Sequence, residues 1–111
     1  MIPRLQRIST QLFKEIIQKG GFSHGDLFIL RILKRKGISR FSVVVPKKVT
    51  NKAVLRGRIR RQIYSVIRKL WPRINKDFLV IIIMKEGSEK ISFNEISKEI
   101  EKGFVKYGLL K

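Results

Sequence analysis

The run FLVIIIM, Phe78 to Met84, sets the strongest limit on how this chain folds. A strand sends successive side chains to opposite faces, so an unbroken apolar run of strand length is greasy on both of them. The run predicts a strand at the centre of a sheet, or one covered on both faces.

The flanking sequence reads as the elements that cover it. Ser9 or Thr10 is an N-cap for a short helix that carries Leu12, Phe13, Ile16 and Ile17 on one face and stops at Gly20-Gly21. Residues 27–33 and 40–45 read as strands joined by the basic turn Lys34-Arg35-Lys36-Gly37, and an antiparallel hairpin is expected. Beyond Pro46 the apolar period changes from two to about 3.6. A long helix is predicted over about 51–71, with Leu55, Ile59, Ile63, Val66, Ile67 and Leu70 in one arc, Arg58, Arg61, Arg68 and Lys69 outside it, and Pro72 as its stop.

Glu86-Gly87-Ser88 turns the chain after the apolar strand. Ser92 and Glu95, spaced as in a capping box, open a last helix with Ile96, Ile100, Phe104 and Tyr107 on one face. The order is helix, strands, helix, strand, helix, without repeat or linker. It predicts one α+β domain over residues 1–111, a two-layer sandwich in which helices cover a small mixed sheet.

Charge is distributed as a patch. Residues 27–76 hold sixteen basic side chains and no acidic one, in a chain of net charge +18. Such self-repulsion works against compaction unless a polyanion neutralises it. There is no cysteine, hence no disulfide framework or thiolate metal site, which fits a reducing compartment, and the cytoplasm is expected. MIPRLQRIST lacks the apolar core of a signal peptide and the longest apolar run is too short to span a bilayer, so a soluble protein without a membrane partner is expected.

Side-chain catalysis finds little support. The single histidine, His24, stands beside Ser23 and Asp26 but lacks the strand-turn-helix setting of a nucleophile elbow, and it reads as a solvated loop residue. Two-metal chemistry needs several converging carboxylates, whereas Asp26 and Asp77 are the only aspartates and the glutamates gather toward the C-terminal end. A GxxxxGK[ST] phosphate loop is absent. Neither a catalytic residue nor a protein-held metal is assigned.

The segment KKVTNKAVLRGRIRR, residues 47–61, offers positive chemistry. Four arginines within six positions follow three lysines within six. Guanidinium forms paired hydrogen bonds to phosphate oxygens. Leu55 and Ile59 would anchor the helix to the sheet, so the cations are presented from a rigid support that suits a shaped RNA. A merely solvated helix face would carry balancing acids, and none occurs over fifty residues.

This segment resembles the signature of the bacterial ribonuclease P protein component, a Lys-Lys pair followed by a basic Arg-Asn-Arg helix entry. Lys47-Lys48 and Arg56-Gly57-Arg58-Ile59-Arg60-Arg61 occupy those places. The likeness runs from Arg4 to Tyr107: basic Arg4 and Arg7, an early helix carrying Phe13, the strand VVVPKK, the strand FLVIII and the closing helix. Gly57 stands where the family has Asn, and Ile17 where a second aromatic is common.

The resemblance implies a βαβ crossover that is left-handed, against the general rule. It implies a protein subunit of ribonuclease P, the endoribonuclease that removes the 5′ leader of precursor tRNA. Hydrolysis would belong to the large RNA subunit with its magnesium ions, and the protein would hold no cofactor. The partners implied are ribonuclease P RNA and precursor tRNA, with one protein monomer per RNA. Lys47, Lys48, Asn51, Lys52, Arg56, Arg58, Arg60 and Arg61 would contact the RNA subunit. Phe13, Ile17, Arg31 and Val44 would line a leader-binding cleft between the long helix and the exposed sheet face, beside the first helix. Phe13 serves equally as a base-stacking group or a core anchor. A ribosomal or other structured-RNA-binding protein is the alternative; a stand-alone metal nuclease and a membrane-surface helix rank below it.

Overall fold

The apolar run forms a strand with neighbours on both edges. The computed structural model describes residues 8–37 and 39–110; Arg4 and Arg7 lie outside them. Three helices, α1 (Thr10–Lys19), α2 (Ala53–Leu70) and α3 (Phe93–Lys106), join four strands, β1 (Gly21–His24), β2 (Phe28–Lys34), β3 (Arg40–Val44) and β4 (Phe78–Met84). The sheet order is β1-β2-β4-β3. β4 pairs antiparallel with β2, from Phe28↔Met84 to Lys34↔Phe78, and parallel with β3, from Arg40↔Leu79 to Val44↔Ile83.

The expected hairpin of residues 27–33 with 40–45 is therefore absent, because β4 inserts between the two strands. The basic turn is held by the residue that leads into β4. Arg35 N–H donates to the Asp77 carbonyl (2.7 Å) and Gly37 N–H to Asp77 Oδ1 (2.9 Å). Gly37 has φ +79°, a conformation that favours glycine. β3, α2 and β4 make a βαβ unit whose parallel strands are adjacent.

Gly20-Gly21 does end α1, but the chain passes directly into β1, which pairs antiparallel with β2 from Gly21↔Ile32 to His24↔Ile29. His24 thus lies on an edge strand, exposed, and not in a loop. Four residues between glycines are too few for strand alternation to declare itself.

Alternation sorts the strand side chains into two layers. Phe28, Leu30, Phe41, Val43, Val80, Ile82 and Met84 pack under α2 and α3, which contribute Ile59, Ile63, Val66, Ile67, Ile96, Ile100 and Phe104. On the reverse face Leu79 and Ile81 bury against Ile16 of α1, with Leu12, Phe13, Ile17, Leu33, Val44 and Ile83 half-buried around them. The sheet with α2 and α3 is the sandwich, and α1 covers part of its outer side.

The helix ends follow their sequence signals. Ser9 Oγ accepts from Leu12 N–H (3.3 Å) and Ser92 Oγ from Glu95 N–H (3.3 Å). α2 tightens into a 3-10 turn at Trp71–Arg73, where Pro72 cannot continue it. The Arg35 guanidinium bonds Glu15, tying α1 to the end of β2 and holding the Glu15 carboxyl below its usual pKa.

α1 approaches β2 so closely that a Cβ on Gly20 would lie 2.6 Å from the Ile16 carbonyl oxygen and 2.7 Å from that of Ile32. Gly20→Ala is expected to destabilise the fold by about 1–3 kcal/mol in urea unfolding, the usual range for overpacking. Gly21→Ala, where a Cβ meets nothing within 4 Å, should leave the midpoint close to wild type.

Candidate nucleic-acid interface

The basic segment occupies the loop after β3 and the first half of α2. Val49 N–H donates to the Pro46 carbonyl (3.0 Å), closing a turn that buries Val49 and leaves Lys47 and Lys48 exposed. Asn51 and Lys52 are exposed as well. Lys52 is the N-cap of α2 without a side-chain cap bond, and the first turn has no acidic residue, so the positive end of the helix dipole is uncompensated.

Arg56 departs from its neighbours. It is half-buried, and its Nη1 donates to the Thr50 carbonyl at 3.0 Å, bracing the loop that carries the lysines. Arg58, Arg60 and Arg61 are exposed around the buried Ile59. Arg68 and Lys69, also exposed, continue the outer arc toward the far end of the helix. At about 1.5 Å per residue the helix presents this basic strip, from Arg58 to Lys69, over roughly 17 Å. Among the described residues the ion pairs are Arg35–Glu15 and Arg73–Glu101, and neither draws on a cation from residues 47–61.

The second set of predicted residues assembles on the reverse face of the sheet. Phe13, Ile17 and Val44 share the cluster around Ile16, Leu79 and Ile81. Arg31 reaches it from β2, donating from Nη1 to the Ile17 carbonyl (3.3 Å). Phe13 anchors α1 and, half-buried, still presents part of its surface.

The wall of this groove is α1. The expectation of a cleft between the long helix and the exposed sheet face is corrected here, because the apolar arc of α2 commits it to the opposite face. The two residue sets instead approach each other at the C-terminal end of β3, where Val44 leads through Pro46 into Lys47.

Several features escaped sequence reasoning. Tyr64 Oη accepts from Val43 N–H (3.3 Å), fastening the edge strand β3 to α2. Phe22 lies on β1 among glycines that read only as a helix stop, and its place on the reverse face follows from pairing with Arg31. Ser23 points to the other face, where its hydroxyl bonds that of Tyr107, so Ser23 and His24 diverge and form no nucleophilic pair. Among the described residues no group of three His, Asp or Glu side chains is arranged to hold a metal ion.

Comparison with known proteins gives a consistent result. The family model described as Ribonuclease P matches residues 2–108. The chain is 32% identical over 115 residues to the ribonuclease P protein component of Microcystis aeruginosa, covering 98% of this chain and 96% of the relative. With that of Synechocystis sp. the identity is 30% over 112 residues, covering 98% and 90%. The Staphylococcus aureus RNase P protein superimposes with a TM-score of 0.86 at 23% identity, over 96% of this chain and 98% of that one. The Thermotoga maritima protein does so at 0.78 and 20%, over 86% and 92%. At these identities the two structures speak for the fold alone.

Gly57 lies inside α2 with φ in the ordinary range, and a Cβ there would meet only the flexible end of Arg61, Nη1, at 3.4 Å. Gly57→Ala should therefore stabilise the protein by up to about 1 kcal/mol, read as a higher urea midpoint.

Proposed function

The chain belongs to the ribonuclease P protein family, and on that footing we propose that its two surfaces engage two different RNAs. It is the RNA-binding protein subunit of ribonuclease P, whose holoenzyme is an endoribonuclease of tRNA processing. In our reading the strip formed by Lys47, Lys48, Asn51, Lys52, Arg58, Arg60 and Arg61 grips the phosphates of the RNA subunit, with Arg56 keeping the loop in shape. The groove of Phe13, Ile17, Arg31 and Val44 receives the 5′ leader of precursor tRNA. Hydrolysis belongs to the RNA subunit and its magnesium ions, and one protein monomer serves one RNA in the cytoplasm.

The observation that carries this reading is the basic strip itself. Its exposed cations have no carboxylate partner among the described residues and stand on a helix fixed by Ile59, Ile63, Val66 and Ile67. A dense, rigid array of guanidinium groups matches a folded polyphosphate surface better than a mobile one. No helix among the described residues is long and apolar enough to cross a membrane.

Reconstitution tests the reading. Bacterial ribonuclease P RNA at low magnesium should cleave precursor tRNA faster with this protein than without it, and the protein alone should cleave nothing. Absence of stimulation, or capture from cells of ribosomal RNA without ribonuclease P RNA, would overturn it.

Arg58→Ala and Arg61→Ala should each weaken binding to the RNA subunit. Each should also flatten the log-log dependence of affinity on salt by roughly 0.7–0.9 for every phosphate that is no longer neutralised. Both side chains are exposed, so thermal unfolding should stay at the wild-type temperature.

A further inference from the structure

Phe22 belongs to neither hydrophobic cluster. It is 59% exposed on β1, one of the two edge strands, on the same sheet face as α1. Two polar groups border the ring. The Arg31 Cζ lies 5.1 Å from the ring centroid, and the His24 ring meets it edge-on at 5.2 Å and 83°. Arg31 is itself tethered, since Nη1 donates to the Ile17 carbonyl (3.3 Å). The guanidinium is therefore fixed between the end of α1 and the aromatic ring.

Burial gives little reason for a phenylalanine here, because most of its surface stays in water. What the position offers is a flat π-surface bordered by a cation in a chain of net charge +18. Base stacking with phosphate neutralisation nearby uses both properties. An unpaired nucleotide fits this chemistry, whereas a duplex keeps its base faces stacked inside. A second copy of the chain would bring like charge against like.

We propose that Phe22 and Arg31 form a stacking platform for one unpaired RNA base, extending the groove of Phe13, Ile17 and Val44 to the β1 edge of the sheet. The proposal rests on the reading that this face receives the leader. Three inter-strand spacings separate β3 from β1, so the platform lies roughly 14 Å across the sheet from Val44. It serves a different nucleotide from the one at Val44.

The test uses holoenzyme reconstituted with bacterial ribonuclease P RNA and precursor tRNAs in which one leader base at a time is replaced by an abasic site. Wild type should lose about tenfold in affinity at one leader position, in the range of a single stacking contact. Phe22→Ala should lose a similar factor with the intact leader and nothing more from the abasic site at that position. Phe22→Trp should keep wild-type affinity and Phe22→Leu should resemble Ala, while binding of leaderless tRNA is the same for all four proteins.

Full affinity in Phe22→Ala, or in Phe22→Leu, would overturn the platform while leaving a leader preference intact. A wild-type holoenzyme that fails to distinguish leader-bearing from leaderless tRNA would remove the leader reading and the platform together. Loss of self-association in Phe22→Ala with leader affinity unchanged would assign the ring to a protein contact and overturn the proposal.

Discussion

Burial of β4 on both faces is the constraint on which the other elements depend. Leu79, Val80, Ile81 and Ile82 are each 0% exposed, which requires a paired strand on either edge and a helical layer on either side. β2 and β3 satisfy the edges, α2 and α3 cover one face, and α1 covers the other. This interior has no room for charge, so the sixteen basic side chains of residues 27–76 are forced to the periphery. The apolar strand and the cationic surface are two sides of one partition.

Much of this partition is written locally. The long period of α2, the Ser92 cap of α3 and the unbroken apolar β4 each depend on neighbours a few residues away, and each stands as the sequence reads. Pairing is a different matter. The turn Lys34-Arg35-Lys36-Gly37 carries the same signals whether its strands lie side by side or leave space for a third, and Asp77, forty residues further on, decides between them. β1 is equally silent, since its identity as a strand comes from β2.

The site divides along the same line. That residues 47–61 favour phosphate follows from composition and helical spacing. That Arg56 turns inward to the Thr50 carbonyl does not, because it depends on how the loop folds back. Phe13 and Ile17 of α1, Arg31 of β2 and Val44 of β3 come from three separate elements and share a face only once the sheet is assembled. Sequence resemblance named them together; the neighbouring Phe22 has no such signal and emerges from strand register alone.

The bond between Val43 N–H and Tyr64 Oη has a consequence for the bound state. Free copies of so cationic a protein repel one another, but an RNA that cancels the charge also cancels that protection. Aggregation by edge-to-edge strand addition must then be resisted by other means. On the β3 side Tyr64 already occupies a donor that an incoming strand would need, and on the β1 side the strand is only four residues long. The molecule thus carries a safeguard against polymerisation that persists when its electrostatic one has been neutralised.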